Sequence, residues 1–277
     1  MALEAVAMAG RPVEDTEILG DGAADILVQG SDPTMLRTYA QSHLGHLKVD
    51  VCAQIAEGRK KRLLIADMDS TIIGCECLDE LADFAGLKTE IAAITERAMR
   101  GELEFEAALR ERVLMLKGLG LDALQRAYDE RVRLNPGART LVRTMAANGA
   151  KCFLVSGGFE FFTTRVAEAA GFHAQRANRL LDDGQTLTGH VGDPILGREA
   201  KLAALQEEAA NAGIALHETL AVGDGANDLA MIEAAGLGVA YRAKPIVAGQ
   251  ADAKVDFTDL RSLLYFQGYG QDAFVTD

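Results

Sequence analysis

From residue 61 onward, short apolar runs alternate with longer segments of helical spacing, and this alternation restricts the fold more than any other feature. Consecutive buried strands that are separated by helices form a parallel sheet with both faces covered. The candidate strands are LLIAD (63–67), KCFLVS (151–156), TLAVGD (219–224), LGVAY (237–241) and AKVDF (253–257). The sequence therefore predicts an α/β protein with a doubly wound parallel sheet.

Residues 76 to 135 interrupt this Rossmann-like pattern. They are charged and helix-forming throughout, with Leu78, Leu81 and Ala82 at helical spacing and no run typical of a strand. We expect a small helical cap at 76–135, inserted after the first strand of a core formed by 61–75 and 136–277. Such an insertion could act as a lid over the strand ends. A further segment, RLLDDGQTLTGHV (179–191), is typical of a β-hairpin turning at Asp-Gly, and we expect it at an edge.

The first 60 residues are predicted to be a separate N-terminal unit. Residues 1–23 are rich in glycine and acidic side chains, which favours disorder. After them, ADILVQG, SDPTMLRTYAQSHLG and LKVDVCA are typical of a strand, a helix and a strand, a short β-α-β segment. This is too little to form a core alone, so the unit is expected to pack on the core or on a second subunit. A homodimer is therefore possible in this interpretation.

Charge and composition narrow the possible partners. The net charge of −13 argues against a nucleic-acid or anionic membrane surface, and we interpret the one basic run, GRKKR (58–62), as a solvated boundary before a strand. No apolar stretch approaches the roughly 20 residues of a membrane span, and the N-terminus does not resemble a signal peptide. The four cysteines contain no CxxC pair, which favours reduced thiols. A cytoplasmic location is the expectation.

Polar side chains follow three of the candidate strands. Because carboxyl ends of parallel strands meet at one edge, where ligands bind in such sheets, we expect these side chains to lie together. Each has an ordinary alternative, such as a turn at Ser156, a helix cap at Asn227 or a solvated Lys201. Their coincidence at one edge favours a functional site. The set comprises Asp67, Asp69, Ser156, Gly157, Lys201, Asp224, Asn227 and Asp228.

The clustered carboxylates suggest a bound cation. Burying an unpaired carboxylate costs several kcal/mol, and Mg²⁺ prefers hard oxygen ligands of this kind. Asp67 and Asp224 are the candidate ligands, with Asp228 near them. Mg²⁺ is accordingly the predicted cofactor.

These residue types suit phosphoryl transfer through a covalent intermediate. Asp67 is the candidate nucleophile, because aspartate forms aspartyl-phosphates, and Asp69 is the candidate acid and then base. Ser156, the backbone N–H groups around Gly157 and the ammonium of Lys201 would stabilise charge on the transferred oxygens.

Four short motifs in this order resemble those of the haloacid dehalogenase superfamily of phosphohydrolases. They are DMDST (67–71), Ser156 in VSGG, Lys201 and GDGAND (223–228). The resemblance implies Mg²⁺ ligands at Asp67, at the backbone carbonyl of Asp69 and at Asp224, with Asp228 outside direct coordination.

The cap resembles that of the phosphoserine phosphatase family. The similarity lies in DSTIIGCECLDELA, RAMRGELEFEAALRERVLMLKGL (97–119) and VSGGF. It implies that Glu76 faces the substrate amino group, that the fork of Arg112 binds its carboxylate, and that Met99 and Phe105 form an apolar cover. Ser156, Gly157 and Asn227 complete the implied substrate contacts. The implied reaction is the hydrolysis of O-phospho-L-serine to L-serine and phosphate in serine biosynthesis.

Two alternatives stay open at this point. The first is a phosphatase for another small phosphorylated metabolite, because the cap sets the substrate and its motifs are looser than those of the core. The second is a non-catalytic Mg²⁺-binding phospho-switch, which, like a receiver domain, would share the clustered aspartates. The second carboxylate at Asp69 and the cap favour turnover over a switch. Bacterial relatives often carry a fuller regulatory region than residues 1–60, which resemble only a fragment of one.

Overall fold

The computed structural model describes residues 12–30, 32–99 and 102–276, without the side chain of Met99. The strands, in chain order, are β1 (Val13–Gly20), β2 (Ala23–Val28), β3 (Leu63–Ala66), β4 (Lys151–Phe159), β5 (Ala174–Asn178), β6 (Leu180–Asp182), β7 (Leu187–Val191), β8 (Thr219–Gly223), β9 (Leu237–Tyr241) and β10 (Ala253–Val255). The helices are α1 (Pro33–Leu44), α2 (Cys77–Phe84), α3 (Lys88–Met99), α4 (Phe105–Met115), α5 (Leu121–Arg131), α6 (Ala138–Ala147), α7 (Glu160–Ala170), α8 (Arg198–Ala212), α9 (Leu229–Ala234), α10 (Pro245–Gln250) and α11 (Ser262–Phe266).

A six-stranded parallel sheet forms the centre, in the order β10-β9-β8-β3-β4-β5. The chain builds outward from β3 in one direction and then returns to build from β8 in the other. The order therefore reverses between β3 and β8, which is where ligands bind in doubly wound sheets. The predicted α/β fold is confirmed, and all five predicted strands are present.

The apolar runs bury both faces of the sheet. Every residue of β3 is fully buried; Leu64 joins the apolar cluster on one face, while Leu63 and Ile65 join the cluster on the other. Strand β5, with the sequence AQRAN, was not predicted. Its half-polar composition lacks the apolar run by which the other strands were predicted. It is a strand because it pairs with β4.

Helices α2 to α5 lie between β3 and β4, in the region where the sequence predicts a helical cap. The two ends of this insertion are joined by backbone hydrogen bonds from Gly74 to Arg133 (3.2 Å) and from Asn135 to Ile72 (2.8 Å). The Asn135 side chain also donates to the carbonyls of Thr71 and Ile73. The insertion thus begins and ends at one point just after β3.

The predicted hairpin forms as β6 and β7, but its expected place at a sheet edge is wrong. It is a separate two-stranded sheet that contacts the helical insertion. Gly118 donates to the Leu187 carbonyl (2.8 Å) and Leu121 to the Gln185 carbonyl (3.0 Å). The hairpin's free backbone groups are thus satisfied by the turn between α4 and α5 rather than by the central sheet.

The N-terminal prediction of β-α-β is wrong in its order. The observed segment is an antiparallel hairpin, β1 and β2, followed by α1. The disorder expected for residues 1–23 is wrong for Val13–Gly20, which form β1, while residues 1–11 lie outside the described residues. Asp21-Gly22 is a hairpin turn signal, and Gly22 has a φ of 76°. LKVDVCA forms no strand; it packs on the C-terminal part of the core, where the Asp50 carboxylate accepts backbone hydrogen bonds from residues 256–258.

Within the described ranges, no helix combines enough length with enough apolar character to cross a membrane.

Candidate active site

A buried ion-pair cluster lies where β3 and β8 end. Lys201, in the first turns of α8, places its Nζ 2.5 Å from Asp67 Oδ1 and also contacts Asp228 Oδ1. Lys201, Asp67 and Asp228 are only 2%, 5% and 0% exposed. Charges this deeply buried are expensive unless paired, so the cluster constrains the surrounding structure.

The sheet register brings these groups together. The Asp67 N–H donates to the Val222 carbonyl (3.0 Å), which holds the ends of β3 and β8 side by side. Asp228 Oδ2 accepts hydrogen bonds from the N–H groups of Asp224 (3.1 Å) and Gly225 (2.9 Å), so the loop after β8 folds around its own carboxylate. A Cβ at Gly223 would lie 2.5 Å from Asp228 Oδ2, and this approach therefore requires glycine.

Three carboxylates could share a cation. Oxygen atoms of Asp67, Asp224 and Asp228 all lie within 4.8 Å of one another. Lys201 supplies one positive charge against three negative charges, which leaves the cluster with a net charge suited to a divalent ion. The donors are hard oxygens, as Mg²⁺ prefers. Thr71 adds a hydrogen bond from its hydroxyl to Asp224 Oδ1 (3.4 Å).

Electrostatics within the cluster follow from burial and charge proximity. Burial and the adjacent Asp228 raise the pKa of Asp224 to about 6. Burial and Asp228 also raise the pKa of Asp67, against the lowering effect of Lys201. Burial lowers the pKa of Lys201, but the two carboxylates raise it more, so the net shift is upward and the ammonium stays charged. The raised pKa values of Asp67 and Asp224 reflect burial and mutual repulsion, which a bound cation would relieve.

Asp69 lies beside this cluster but faces elsewhere. Its Oδ1 accepts a hydrogen bond from the Cys77 N–H (3.0 Å) and its Oδ2 from the Ser156 hydroxyl (3.3 Å). The tight turn at Met68–Ile72 produces this divergence, and Ser70 within it adopts a left-handed φ of 57°. Burial and then Glu76 raise the pKa of Asp69 to about 6, the range in which a carboxyl group exchanges protons near neutral pH.

Ser156 and the glycines after it form the neighbouring wall. The Ser156 hydroxyl oxygen accepts a hydrogen bond from the Gly158 N–H (2.9 Å) while the hydroxyl donates to Asp69. A Cβ at Gly158 would lie 2.8 Å from Asp69 Oδ2. The backbone here therefore approaches Asp69 more closely than a larger residue allows.

Residues of the helical insertion lie over this edge. Phe105, at the start of α4, contacts Gly157 and Gly197, since a Cβ built on either glycine would lie 3.5 Å from its ring. Glu76 Oε1 accepts a hydrogen bond from the Ser70 hydroxyl (2.6 Å). These contacts bring the insertion directly against the strand ends.

Arg112 is held within the helical insertion. Its Nη1 donates to Thr95 Oγ1 (3.3 Å) and its Nε to the Ala108 carbonyl (3.2 Å). Burial lowers the pKa of its guanidinium, while the negative charges of Asp79 and Glu76 oppose that shift. Arg112 and Glu76 thus share one electrostatic environment.

The remaining predicted residues divide into two cases. Asn227 lies half-buried in the loop between β8 and α9, with its side-chain oxygen against Gly225. The side chain of Met99 lies outside the described part of the structure.

Sequence reasoning missed two contributors to the site. One is the Cys77 backbone N–H, which binds Asp69. The other is Asn178, a buried amide at the end of β5. A backbone donor leaves no residue-type signal, and Asn178 belongs to no motif that the sequence analysis identified.

Comparisons with known proteins agree with this geometry. A family model described as haloacid dehalogenase-like hydrolase matches residues 64–233. A phosphoserine phosphatase of Streptomyces coelicolor is 43% identical over 250 residues, covering 89% of this chain but 60% of its own length. A phosphoserine phosphatase of Polaromonas sp. is 46% identical over 208 residues, covering 73% of this chain and 88% of its own. The crystal structure of a HAD family hydrolase from Salmonella enterica superposes with a TM-score of 0.85 at 30% identity, covering 98% and 93% of the two chains.

Proposed function

This chain belongs to the haloacid dehalogenase-like hydrolases, and we propose on that premise that it is a Mg²⁺-dependent phosphomonoester hydrolase that cleaves O-phospho-L-serine to L-serine and phosphate. The observation that carries the proposal is the pairing of two differently directed carboxylates. Asp67 faces Lys201 and the acidic cluster, while Asp69 faces Ser156. The proposed nucleophile and the proposed proton-transfer group thus have different partners although they are two residues apart. The substrate assignment is supported by the similarity to phosphoserine phosphatases.

The proposed reaction proceeds in two balanced steps. The Asp67 carboxylate attacks phosphorus, the bond from phosphorus to the serine oxygen breaks, and Asp69 donates its proton to that oxygen. The resulting aspartyl-phosphate is then hydrolysed: Asp69 takes a proton from water, the oxygen attacks phosphorus, and the Asp67 carboxylate and phosphate are released. The pKa of about 6 at Asp69 suits a group that must serve as acid and then as base.

Mg²⁺ would be held by the side chains of Asp67 and Asp224 and by the predicted backbone carbonyl of Asp69. Asp228, which accepts two backbone hydrogen bonds and the Lys201 contact, would support the ligands from outside direct coordination. The ion would neutralise charge on the phosphoryl oxygens and on the clustered carboxylates.

The chain's own donors would stabilise the transferred group. We propose the Ser156 hydroxyl, the backbone N–H groups around Gly157 and the Lys201 ammonium as these donors; the contacts of Ser156 with Asp69 and of Lys201 with Asp67 support this. Donors that are already oriented need no reorganisation during the reaction. Such positioning and electrostatic stabilisation account for most of the catalysis in phosphoryl transfer.

Specificity for phosphoserine would come from the helical insertion. We propose that Glu76 binds the substrate ammonium and Arg112 its carboxylate, with Phe105 and Met99 as the apolar cover and Gly157 and Asn227 as further contacts. The position of Phe105 beside Gly157 and Gly197 supports this, because it places an apolar ring of the helical insertion against the turn that follows Ser156.

We also propose a domain organisation and a cellular location for the enzyme. Residues 61–75 and 136–277 would form the hydrolase core, 76–135 the cap, and 1–60 a unit that packs on the core or on a second subunit in a homodimer. The small substrate and the net charge of −13 favour a cytoplasmic enzyme of serine biosynthesis without nucleic-acid partners.

Phosphate release from phosphoserine, measured with Mg²⁺ and with EDTA, tests the reaction. We expect multiple turnovers with Mg²⁺, loss of activity in EDTA, and loss in Asp67→Asn, because an amide is a poor nucleophile. A single stoichiometric phosphorylation without turnover would instead support the phospho-switch.

The substrate assignment has its own test. Glu76→Ala and Arg112→Ala should lower kcat/KM for phosphoserine by about 10²-fold or more while activity on p-nitrophenyl phosphate persists, because each removes a charge-assisted contact to the serine moiety. Unchanged kcat/KM for phosphoserine in both variants would favour another phosphorylated metabolite as the substrate.

A further inference from the structure

Asn178 is a buried side chain that links two loops of the site. It ends β5 and is 1% exposed. Its Nδ2 donates to the Gly157 carbonyl (2.8 Å) and to the Leu196 carbonyl (3.3 Å), and its Oδ1 accepts from the Leu196 N–H (2.7 Å). One side chain thus satisfies three backbone groups from two separate loops.

Only a primary amide fits this arrangement without loss. Two carbonyls need donors and one N–H needs an acceptor, and the asparagine side chain supplies both at once. A carboxylate of the same shape would keep the bond from Leu196 N–H but would face two carbonyl oxygens without a hydrogen to share. An alanine would leave the backbone groups unpaired in a buried environment.

The two linked loops carry the groups that face the transferred phosphoryl. Gly157 follows Ser156, whose hydroxyl contacts Asp69. Leu196 precedes Gly197, where α8 begins and brings Lys201 to Asp67. Phe105 rests on both Gly157 and Gly197, so the relative position of the two loops also sets the surface beneath the cap.

The same side chain joins the two ends of the segment between Asn178 and Leu196, which contacts the helical insertion. Between Asn178 and Leu196 the chain forms the β6–β7 hairpin, whose backbone is bonded to the turn at 118–121. A second bond, from the Gly192 N–H to the Arg179 carbonyl (2.8 Å), lies beside the Asn178 contacts. Without these hydrogen bonds, movement of the helical insertion and the hairpin would displace the loops at Gly157 and Leu196.

We propose that Asn178 is a positioning residue for catalysis, which holds the Ser156–Gly157 turn and the loop before Lys201 in register with each other. The inference rests on the proposed phosphatase function. Asn178 bonds to backbone groups of Gly157 and Leu196, and it acts through the backbone that orients Ser156 and Lys201. Its loss lowers the rate of the chemical step more than the binding of the amino-acid part of the substrate.

Steady-state kinetics of Asn178→Asp and Asn178→Ser test the proposal, with the folded fraction of each variant measured by urea unfolding. We expect kcat per folded enzyme to fall about 10–100-fold with KM changed less than about threefold, since small misplacements of catalytic groups cost this much. Asn148→Asp is the matched control, because Asn148 donates a side-chain bond to the Thr144 carbonyl (2.8 Å) outside the site, and its kcat should not change.

A second measurement separates this inference from the proposed function. Orthovanadate, which mimics the transferring phosphoryl group, should inhibit Asn178→Ser at least 10-fold more weakly than the wild type on p-nitrophenyl phosphate, while inhibition by inorganic phosphate changes less. Failure of wild-type turnover on phosphoserine alone would overturn the proposed substrate and leave this test intact. Unchanged kcat in the folded fraction of both variants, or a loss confined to KM, would overturn the positioning role.

Discussion

At the scale of single residues, burial and a neighbouring carboxylate make the negative charge of Asp224 unfavourable. The pKa of Asp224 lies at about 6 because of burial and of Asp228, against an ordinary value of 3.8. The folded protein therefore holds this proton to higher pH than the unfolded chain does. The contribution of Asp224 to the free energy of unfolding falls as the pH rises from about 4 to about 6, and its cost is fully present at pH 7.

Asp224→Asn should consequently stabilise the metal-free protein. At pH 7.5 in EDTA we expect the free energy of unfolding to rise by about 1–3 kcal/mol, because the amide carries no charge, and we expect this gain to vanish near pH 4. Urea unfolding at the two pH values measures the effect. Mg²⁺ should raise the stability of the wild type and not that of the variant. Equal or lower stability of Asp224→Asn at pH 7.5 would contradict the assignment of strain to this carboxylate.

At the scale of secondary-structure elements, the strand ends and the turns after them define the chemistry. The apolar strands were predictable because their composition reflects burial on both faces. The half-polar β5 was not, and neither was the contact between the β6–β7 hairpin and the helical insertion, since both depend on the neighbour that pairs with them. At the end of β4, the close approach of Gly158 to Asp69 is likewise a product of packing.

Gly158→Ala tests this close approach. The added Cβ would lie 2.8 Å from Asp69 Oδ2 and 3.0 Å from Ser156 Oγ, so both side-chain ends must shift. Because these are movable side-chain atoms, we expect kcat to fall about 10–100-fold with a stability change below about 1 kcal/mol. Gly249→Ala is the control, since a Cβ there meets no atom within 4 Å. Full activity of Gly158→Ala would show that Asp69 tolerates displacement.

At the scale of the whole molecule, the N-terminal residues are fastened to the C-terminal part of the core. Asp50 is the main anchor: its carboxylate accepts the N–H groups of Asp256 (2.8 Å) and Thr258 (2.9 Å) and the Thr258 hydroxyl (2.5 Å). Arg37 also donates to the carbonyls of Ala251 and Asp252. These contacts lie away from the acidic cluster and support a packing role.

Asp50→Ala should therefore weaken the fold and spare catalysis. We expect the free energy of unfolding to drop by about 1–2 kcal/mol, because the backbone donors at 256–258 lose a charged acceptor. Both kcat and KM should stay within twofold of the wild type under native conditions. Asp15→Ala, which removes only a local bond to the Thr16 N–H (2.8 Å), should leave stability nearly unchanged. A change in KM for phosphoserine would instead link residues 1–60 to regulation.

The sequence by itself determined the α/β class, the strands of the sheet except β5, the helical insertion and the identity of the charged residues at the strand ends. These follow from local composition, because burial on both faces selects apolar runs and a common sheet edge collects the polar residues that end them. Only the tertiary structure decided that Lys201 pairs with both Asp67 and Asp228, that Asp69 turns toward Ser156, and that Asn178 joins two loops. Those contacts join residues distant in the chain, and their geometry depends on strand register and close packing, which no local pattern encodes.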